Sequence, residues 1–293
     1  MQGLVAAVSA NGGVAMFGYI RWMVAAAVSV VVPAGAGWRL AWCDEFDRDG
    51  RPDPAVWDYE EGKVRNREAQ FYTRNRPENA RVENGRLVIE ARREPWKGSE
   101  WTSASLITLG RLHLRYGRIE TRAKLPEGRG VWPALWTMGV HEPPLPWPRR
   151  GEIDIMEFVG FDPDVIHTTV HTGRYNHRLG THKSAKFRLP GVSRDFHVYA
   201  VDVRPDHVRF EVDGVERFVF RREPAADIDA WPYDAPQYPL INLAIGGTWG
   251  GQKGIDEAMT RARFEVDYVR MFVDDDVPGS ELSGSAAGLK KAQ

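Results

Sequence analysis

The chain has one cysteine, Cys43, in 293 residues, so no intrachain disulfide can form. It has no apolar run of the ~20 residues that a membrane helix requires. It has no excess of charge: 39 Lys and Arg against 40 Asp and Glu leave a net charge of −1, which argues against a nucleic-acid partner. It also lacks any long stretch at helical period and any internal repeat. Disulfide scaffolds, helical membrane proteins, nucleic-acid binders and repeat arrays are therefore disfavoured.

Turn residues and aromatics are plentiful instead. The 29 Gly and 19 Pro suit a turn-rich all-β chain, and 11 Trp exceed what a core alone needs. Flat indoles match the apolar faces of sugar rings, although Trp is also a common core residue. Short alternating segments recur from Trp38 onward. Arg81–Glu90 reads as a hairpin on Asn84-Gly85, and Asp213-Gly214 makes a second between Val208–Val212 and Val215–Phe220. Tyr116–Leu125 alternates Arg118, Glu120, Arg122 and Lys124 with Ile119, Thr121, Ala123 and Leu125; further strands are expected at Tyr238–Ile245 and Ala262–Phe272. Many strands at regular spacing predict a β-sandwich or jelly roll of two antiparallel sheets.

Residues 1–36 are expected to be a targeting segment: Arg21 gives a basic start, Met23–Val32 a short apolar run and Ala34-Gly35-Ala36 a small-residue cleavage signal. A mis-assigned start, with Met16 or Met23 as the true one, is the alternative. The folded domain is expected over 37–274, with a polar, disordered tail over 275–293. The chain is expected to be secreted and monomeric, without stable membrane insertion.

The chemistry concentrates in Gly151–Gly160, where Glu152, Asp154 and Glu157 interleave with Ile153, Ile155, Met156, Phe158 and Val159. On a strand Glu152 and Asp154 share a face, while regular alternation sends Glu157 into the core. An unpaired buried carboxylate costs several kcal/mol. A one-residue bulge at Ile155–Met156 avoids that and returns Glu157 to the face of the other two. Carboxyls held together have their pKa values pushed apart, so that one serves as acid while another stays ionised. A solvated acidic edge strand, with or without bound Ca²⁺, is the other reading of this stretch alone.

Glu-x-Asp-x-x-Glu, here Glu152, Asp154 and Glu157, resembles the bulged active-site signature of the glycoside hydrolase 16 family. Gly128-Arg129-Gly130-Val131-Trp132-Pro133-Ala134-Leu135-Trp136 is similar to its Gly-x-Gly-x-Trp-Pro-Ala-x-Trp block, and Asn66–Thr73 to a segment of its laminarinases, with Arg67 in place of an Asn. Pro239–Gly251 and Phe264–Arg270 resemble its late strands, so the resemblance runs from about Trp38 to Phe272. It implies a jelly roll with a cleft across a concave sheet, and a retaining endo-β-1,3-glucanase needing no catalytic cofactor. In that reading Glu152 is the nucleophile, Glu157 the acid and then base, and Asp154 their helper.

Asn66, Arg118, Trp132, Trp136, Trp147, His171, Asn242 and Trp249 are then expected to contact the glucan. His167 and His171 have metal-like spacing only on a helix, and their β-branched neighbours argue for a strand. His171 is implied as a sugar contact or a modulator of the acid/base residue, and His167 equally as a structural histidine. A structural Ca²⁺ is implied at Glu45, the Gly85 carbonyl and Asp267, with a surface ion pair as the alternative. Other β-linked polysaccharides (mixed-linkage glucan, agarose, carrageenan), transglycosylation and non-catalytic glucan recognition are the rival functions. The three carboxylates weigh against the last.

Overall fold

The structure, a computed structural model, describes residues 37–288. The expected targeting segment lies outside them. Strands come first as β1 (Trp38–Asp44), β2 (Asp58–Tyr59), β3 (Gln70–Tyr72), β4 (Ala80–Val82), β5 (Leu87–Trp96), β6 (Ser99–Ser103) and β7 (Ser105–Ile107). Next are β8 (His113–Arg115), β9 (Gly117–Lys124), β10 (Val131–Gly139), β11 (Glu152–Phe158), β12 (Val165–His171) and β13 (Lys183–Arg188). The last are β14 (His197–Val203), β15 (His207–Val212), β16 (Val215–Arg221), β17 (Gln237–Ile245), β18 (Arg261–Asp274) and β19 (Glu281–Ser283). No α-helix forms among the described residues.

Both predicted two-residue turns are present. Asn84 (φ 54°) with Gly85 (φ 72°) links β4 to β5, and Asp213 (φ 52°) with Gly214 (φ 73°) links β15 to β16. Positive φ at both central residues matches the twist of the flanking strands, which is why Asn-Gly and Asp-Gly serve here.

Two sheets result. One runs β16-β15-β14-β9-β18-β5-β6-β3, with β1 on β18 and β4 on β5. The other runs β13-β12-β11-β10-β17-β7-β2, extended by β8 and β19. Every pairing is antiparallel except β3 with β6. The inward rows meet in one core: Leu87, Ile89, Ile119, Val201, Phe210 and Phe264 from the first sheet face Ile153, Met156, Ile166, Val170, Ile241 and Leu243 from the second. This is the jelly-roll sandwich expected from the strand pattern. Strand β17 is buried along its whole length, because its other row packs with β10 in two small outer clusters, Ala134, Trp136, Tyr238 and Leu240, and Trp132, Val159 and Ala244.

Three expectations are corrected. The segment after Asp275 is ordered through Gly288: β19 pairs with β8, Ala286 is fully buried, and its amide donates to the Arg111 carbonyl (2.7 Å). Its polar composition conceals a strand held mainly by backbone bonds. Arg118 is a structural ion-pair residue. It projects from β9 in the sheet away from the carboxylates, 3% exposed, with Nη1 donating to Asp202 Oδ1 and Glu211 Oε2 (both 2.8 Å). Finally, the residues proposed for Ca²⁺ do not fit as an open oxygen cage. The Glu45 carboxylate accepts two bonds from Arg270 (2.8 and 2.9 Å), and Asp267 accepts one from Arg122 (2.5 Å). Both carboxylates are taken up in ion pairs, and no role for the metal follows.

Candidate active site

Gly151 precedes β11, the strand that carries the three carboxylates. Its φ of +81° suits glycine, and a Cβ there would stand 2.7 Å from Pro232 Cγ. The Tyr233 hydroxyl, 3.1 Å from the Glu152 carbonyl and 3.2 Å from that of His171, ties the start of β11 to the end of β12.

The register of β11 contains the bulge. Against β12, Asp154 pairs with Thr169 and Glu157 with His167, so Ile155 and Met156 together oppose Thr168. Against β10, Asp154 pairs with Trp136 and Met156 with Leu135, which skips Ile155. Thr168 Oγ1 donates to the Asp154 carbonyl (3.1 Å) beside the irregularity. Ile155 and Met156 both enter the core, and Glu152, Asp154 and Glu157 all reach the opposite face.

That face carries a cleft of about 660 Å³ crossing β17, β10, β11, β12 and β13. Five strands at ~4.8 Å spacing make it ~19 Å across, room for several sugar residues. Asn66, Trp132, Trp136, Trp147, His171, Asn242 and Trp249 line it with the three carboxylates. Asn66 is brought there by a loop with left-handed backbone at Asn66 and Arg67 (φ 54° and 53°), and its carbonyl accepts from the Thr248 amide (2.9 Å) next to Trp249.

The indoles act chiefly through their N–H groups. Trp147 donates to Glu152 Oε2 (2.9 Å), Trp132 to Glu157 Oε1 (3.0 Å) and Trp136 to Asn242 Oδ1 (2.8 Å). Asn242 in turn donates to the Tyr72 hydroxyl (2.9 Å). Trp136 is only 6% exposed and the Arg65 guanidinium lies 4.8 Å over its ring, so it forms wall rather than an open stacking platform. Trp132 meets Trp249 edge to face at 5.5 Å, and Trp249 meets His167 at 4.8 Å.

Burial sets the electrostatics. It pushes Glu157 up to about 8 against the Trp132 hydrogen bond, with the Glu152 charge adding to the rise. It pushes Glu152 up to about 7, opposed by the Trp147 bond and the nearby Arg65 and Arg150 charges. Asp154, buried between the two, is raised well above the usual carboxylate range by burial and then by both neighbours. His171 Nε2 lies 3.5 Å from Asp154 Oδ2 and 3.8 Å from Glu152 Oε1. Burial, with His177 and His182 nearby, pushes this imidazole down to about 3, so at neutral pH the contact is not an ion pair. One carboxyl can therefore hold a proton near neutrality while a neighbour a few ångströms away is ionised, as acid/nucleophile chemistry requires.

Residues 67–270 match Glycosyl hydrolases family 16. The chain belongs to this family. It is 50% identical to the beta-glucanase of Rhodothermus marinus over 80% of this chain and 85% of that protein. The crystal structure of the Rhodothermus marinus laminarinase superposes with a TM-score of 0.77, covering 80% of this chain and 97% of that one. SCLam, a non-specific endo-beta-1,3(4)-glucanase from family GH16, matches with a TM-score of 0.78 at 42% identity, over 83% of this chain and 94% of that one. Glucan endo-1,3-beta-glucosidase A1 of Niallia circulans is 33% identical over 82% of this chain, which spans 38% of that longer protein.

Family 16 membership accounts for the Trp-rich face, yet several cleft residues were not singled out from sequence. Arg65, Glu68, Arg150, His177, Arg178, His182 and Gln252 also line it. The loop after β12 returns His177 to within 5.0 Å of the Trp147 ring and sets Arg178 over that ring at 4.4 Å. A signal existed: four of the eight histidines fall between 167 and 182.

Proposed function

We propose that the protein is a retaining, endo-acting β-glucan hydrolase that cleaves β-1,3-glucosidic bonds of laminarin-type chains. The observation that carries the reading is the bulged strand, which sets Glu152 and Glu157 on one cleft face with Asp154 between them. The kinship with the Rhodothermus marinus laminarinase supports the substrate.

In the first step protonated Glu157 donates to the glycosidic oxygen while ionised Glu152 attacks the anomeric carbon. The leaving chain departs with the Glu157 proton, and the sugar remains bonded to a Glu152 oxygen. In the second step the Glu157 carboxylate removes a proton from water, which displaces Glu152 with a second inversion. The Trp132 and Trp147 N–H groups fix the two carboxylates, and Asp154, whose proton affinity burial raises, can share a proton with Glu152 as the negative charge returns to it. Neutral His171 borders the same pocket without adding charge.

The ~19 Å cleft favours internal cleavage. The β-1,3(4) activity in the name of SCLam makes mixed-linkage glucan the second substrate to test. Secretion is supported by the basic, apolar and small-residue order at Arg21, Met23–Val32 and Ala34–Ala36. A monomer is supported by the scatter of the exposed large apolar side chains among the described residues, Val64, Leu109, Leu179, Val215 and Ile228, over separate segments of the chain. Parallel digestion of laminarin, lichenan, agarose and carrageenan tests the assignment: an early ladder of laminari-oligosaccharides is expected. Glucose as the sole early product would reject endo action, products longer than the starting oligosaccharides would indicate transglycosylation, and activity confined to a galactan would reject the substrate.

A further inference from the structure

Glu152, Asp154 and His171 do more than surround a sugar. One donor atom from each lies within 4.8 Å of the other two, with His171 Nε2 at 3.5 Å from Asp154 Oδ2 and 3.8 Å from Glu152 Oε1. Ligand atoms around a tetrahedral zinc ion at ~2.0–2.1 Å stand ~3.3 Å apart, so both imidazole–carboxylate distances are within about half an ångström of that spacing, and the two carboxylates, within 4.8 Å, close to it by side-chain rotation. A second observation points to a ligand there. Asp154 is 3% exposed and its Oδ2 has no hydrogen-bond partner, although it faces the imidazole. His171 is 6% exposed and its Nδ1 is also unpartnered. Buried acceptors of this kind are normally satisfied.

We propose that Glu152 Oε1, Asp154 Oδ2 and His171 Nε2 form a site for a first-row divalent metal, with zinc as its probe, and that the metal there excludes the glucan. Two carboxylate oxygens and one imidazole nitrogen are a borderline donor set that suits zinc better than calcium or magnesium, which prefer six or more oxygens. The fourth position opens into the cleft. A ligated Glu152 oxygen is not available to attack an anomeric carbon, so occupancy by metal and by substrate are mutually exclusive. That second consequence rests on the hydrolase reading; metal binding does not.

Calorimetric titration of the chelator-stripped full chain with zinc chloride tests the site without any turnover. One zinc per chain is expected. Its affinity should fall at least tenfold in Asp154→Asn and in His171→Ala, and stay within twofold in Glu157→Gln and in the double variant His177→Ala/His182→Ala. Thermal midpoints confirm that each variant is folded. Wild-type protein supplies a check free of variants: saturating laminari-oligosaccharide should weaken zinc at least tenfold, and zinc should inhibit hydrolysis competitively and reversibly with EDTA. No saturable binding, unchanged affinity in Asp154→Asn, or loss in the double histidine variant would each overturn the site, and indifference to an oligosaccharide that the protein hydrolyses would overturn the exclusion of glucan. Zinc binding without any glucan hydrolysis would leave the site standing and reject the hydrolase reading instead.

Discussion

Trp132→Phe is the sharpest perturbation of the proposed acid. Trp132 Nε1 donates to Glu157 Oε1 at 3.0 Å, while its ring meets Trp249 edge to face at 5.5 Å. Phe keeps an aromatic ring in that contact and removes only the donor. A hydrogen bond to an ionised group is worth ~1.5–3 kcal/mol, against ~0.5–1.5 kcal/mol for a neutral pair. The indole therefore favours the carboxylate over the carboxylic acid by about 1–1.5 kcal/mol, or about one pKa unit at 1.36 kcal/mol per unit. The bond opposes the burial that pushes Glu157 up to about 8. Removing it must raise that value further. Glu157 has to be protonated to release the leaving chain, so the alkaline limb of kcat/KM should move up by about one pH unit. The assay is laminarin hydrolysis from pH 5 to pH 10, with circular dichroism confirming the fold. A limb that stays in place or moves to lower pH would refute the link between this bond and the acid.

Further outcomes follow from the same geometry. Arg118→Met should leave kcat/KM per folded molecule unchanged while destabilising by ~1.5–3 kcal/mol in urea unfolding, because Asp202 loses one of two arginine partners and keeps Arg209; a selective rise in KM would return Arg118 to the substrate. Asn242→Ala strands the Trp136 N–H, and takes a donor from the Tyr72 hydroxyl, which keeps Glu68; it should cost about 1–3 kcal/mol, read as a lower thermal midpoint; an unchanged midpoint contradicts the network. Glu157, with a folded value near 8 against an unfolded value near 4.3, contributes stability that is complete below the unfolded value and lost as pH rises through the folded one. Glu157→Gln cannot ionise, so its midpoint should gain on wild type between pH 5 and pH 9 by about 2–4 °C per kcal/mol; a gap that moves the other way rejects the raised value.

The bulge was legible because one residue broke a rule. Regular alternation would have buried Glu157, and the register shows the extra residue at Ile155–Met156 that prevents it. The turns at Asn84-Gly85 and Asp213-Gly214 were legible for a similar local reason, since few residues tolerate positive φ at both positions. Arg118 was not, because alternation along β9 separates two faces without saying which sheet the strand joins. The order of the tail was hidden by its polarity, as backbone pairing of β19 with β8 leaves little mark on composition. For the tryptophans the face was readable but the covering was not: Arg65 over Trp136 and Arg178 over Trp147 come from distant loops. Their role shifts accordingly, from bare platforms toward fixing the carboxylates and the cleft wall.

The central claim is that Glu152 and Glu157 act by double displacement. Proton NMR of the earliest products, recorded before mutarotation, tests it most directly. The account predicts that the newly formed reducing end appears first as the β anomer, with the α anomer growing in only later. An α anomer released from the outset would contradict it, since that outcome requires carboxyls ~6.5–9.5 Å apart with a water between them and no glycosyl bond to Glu152.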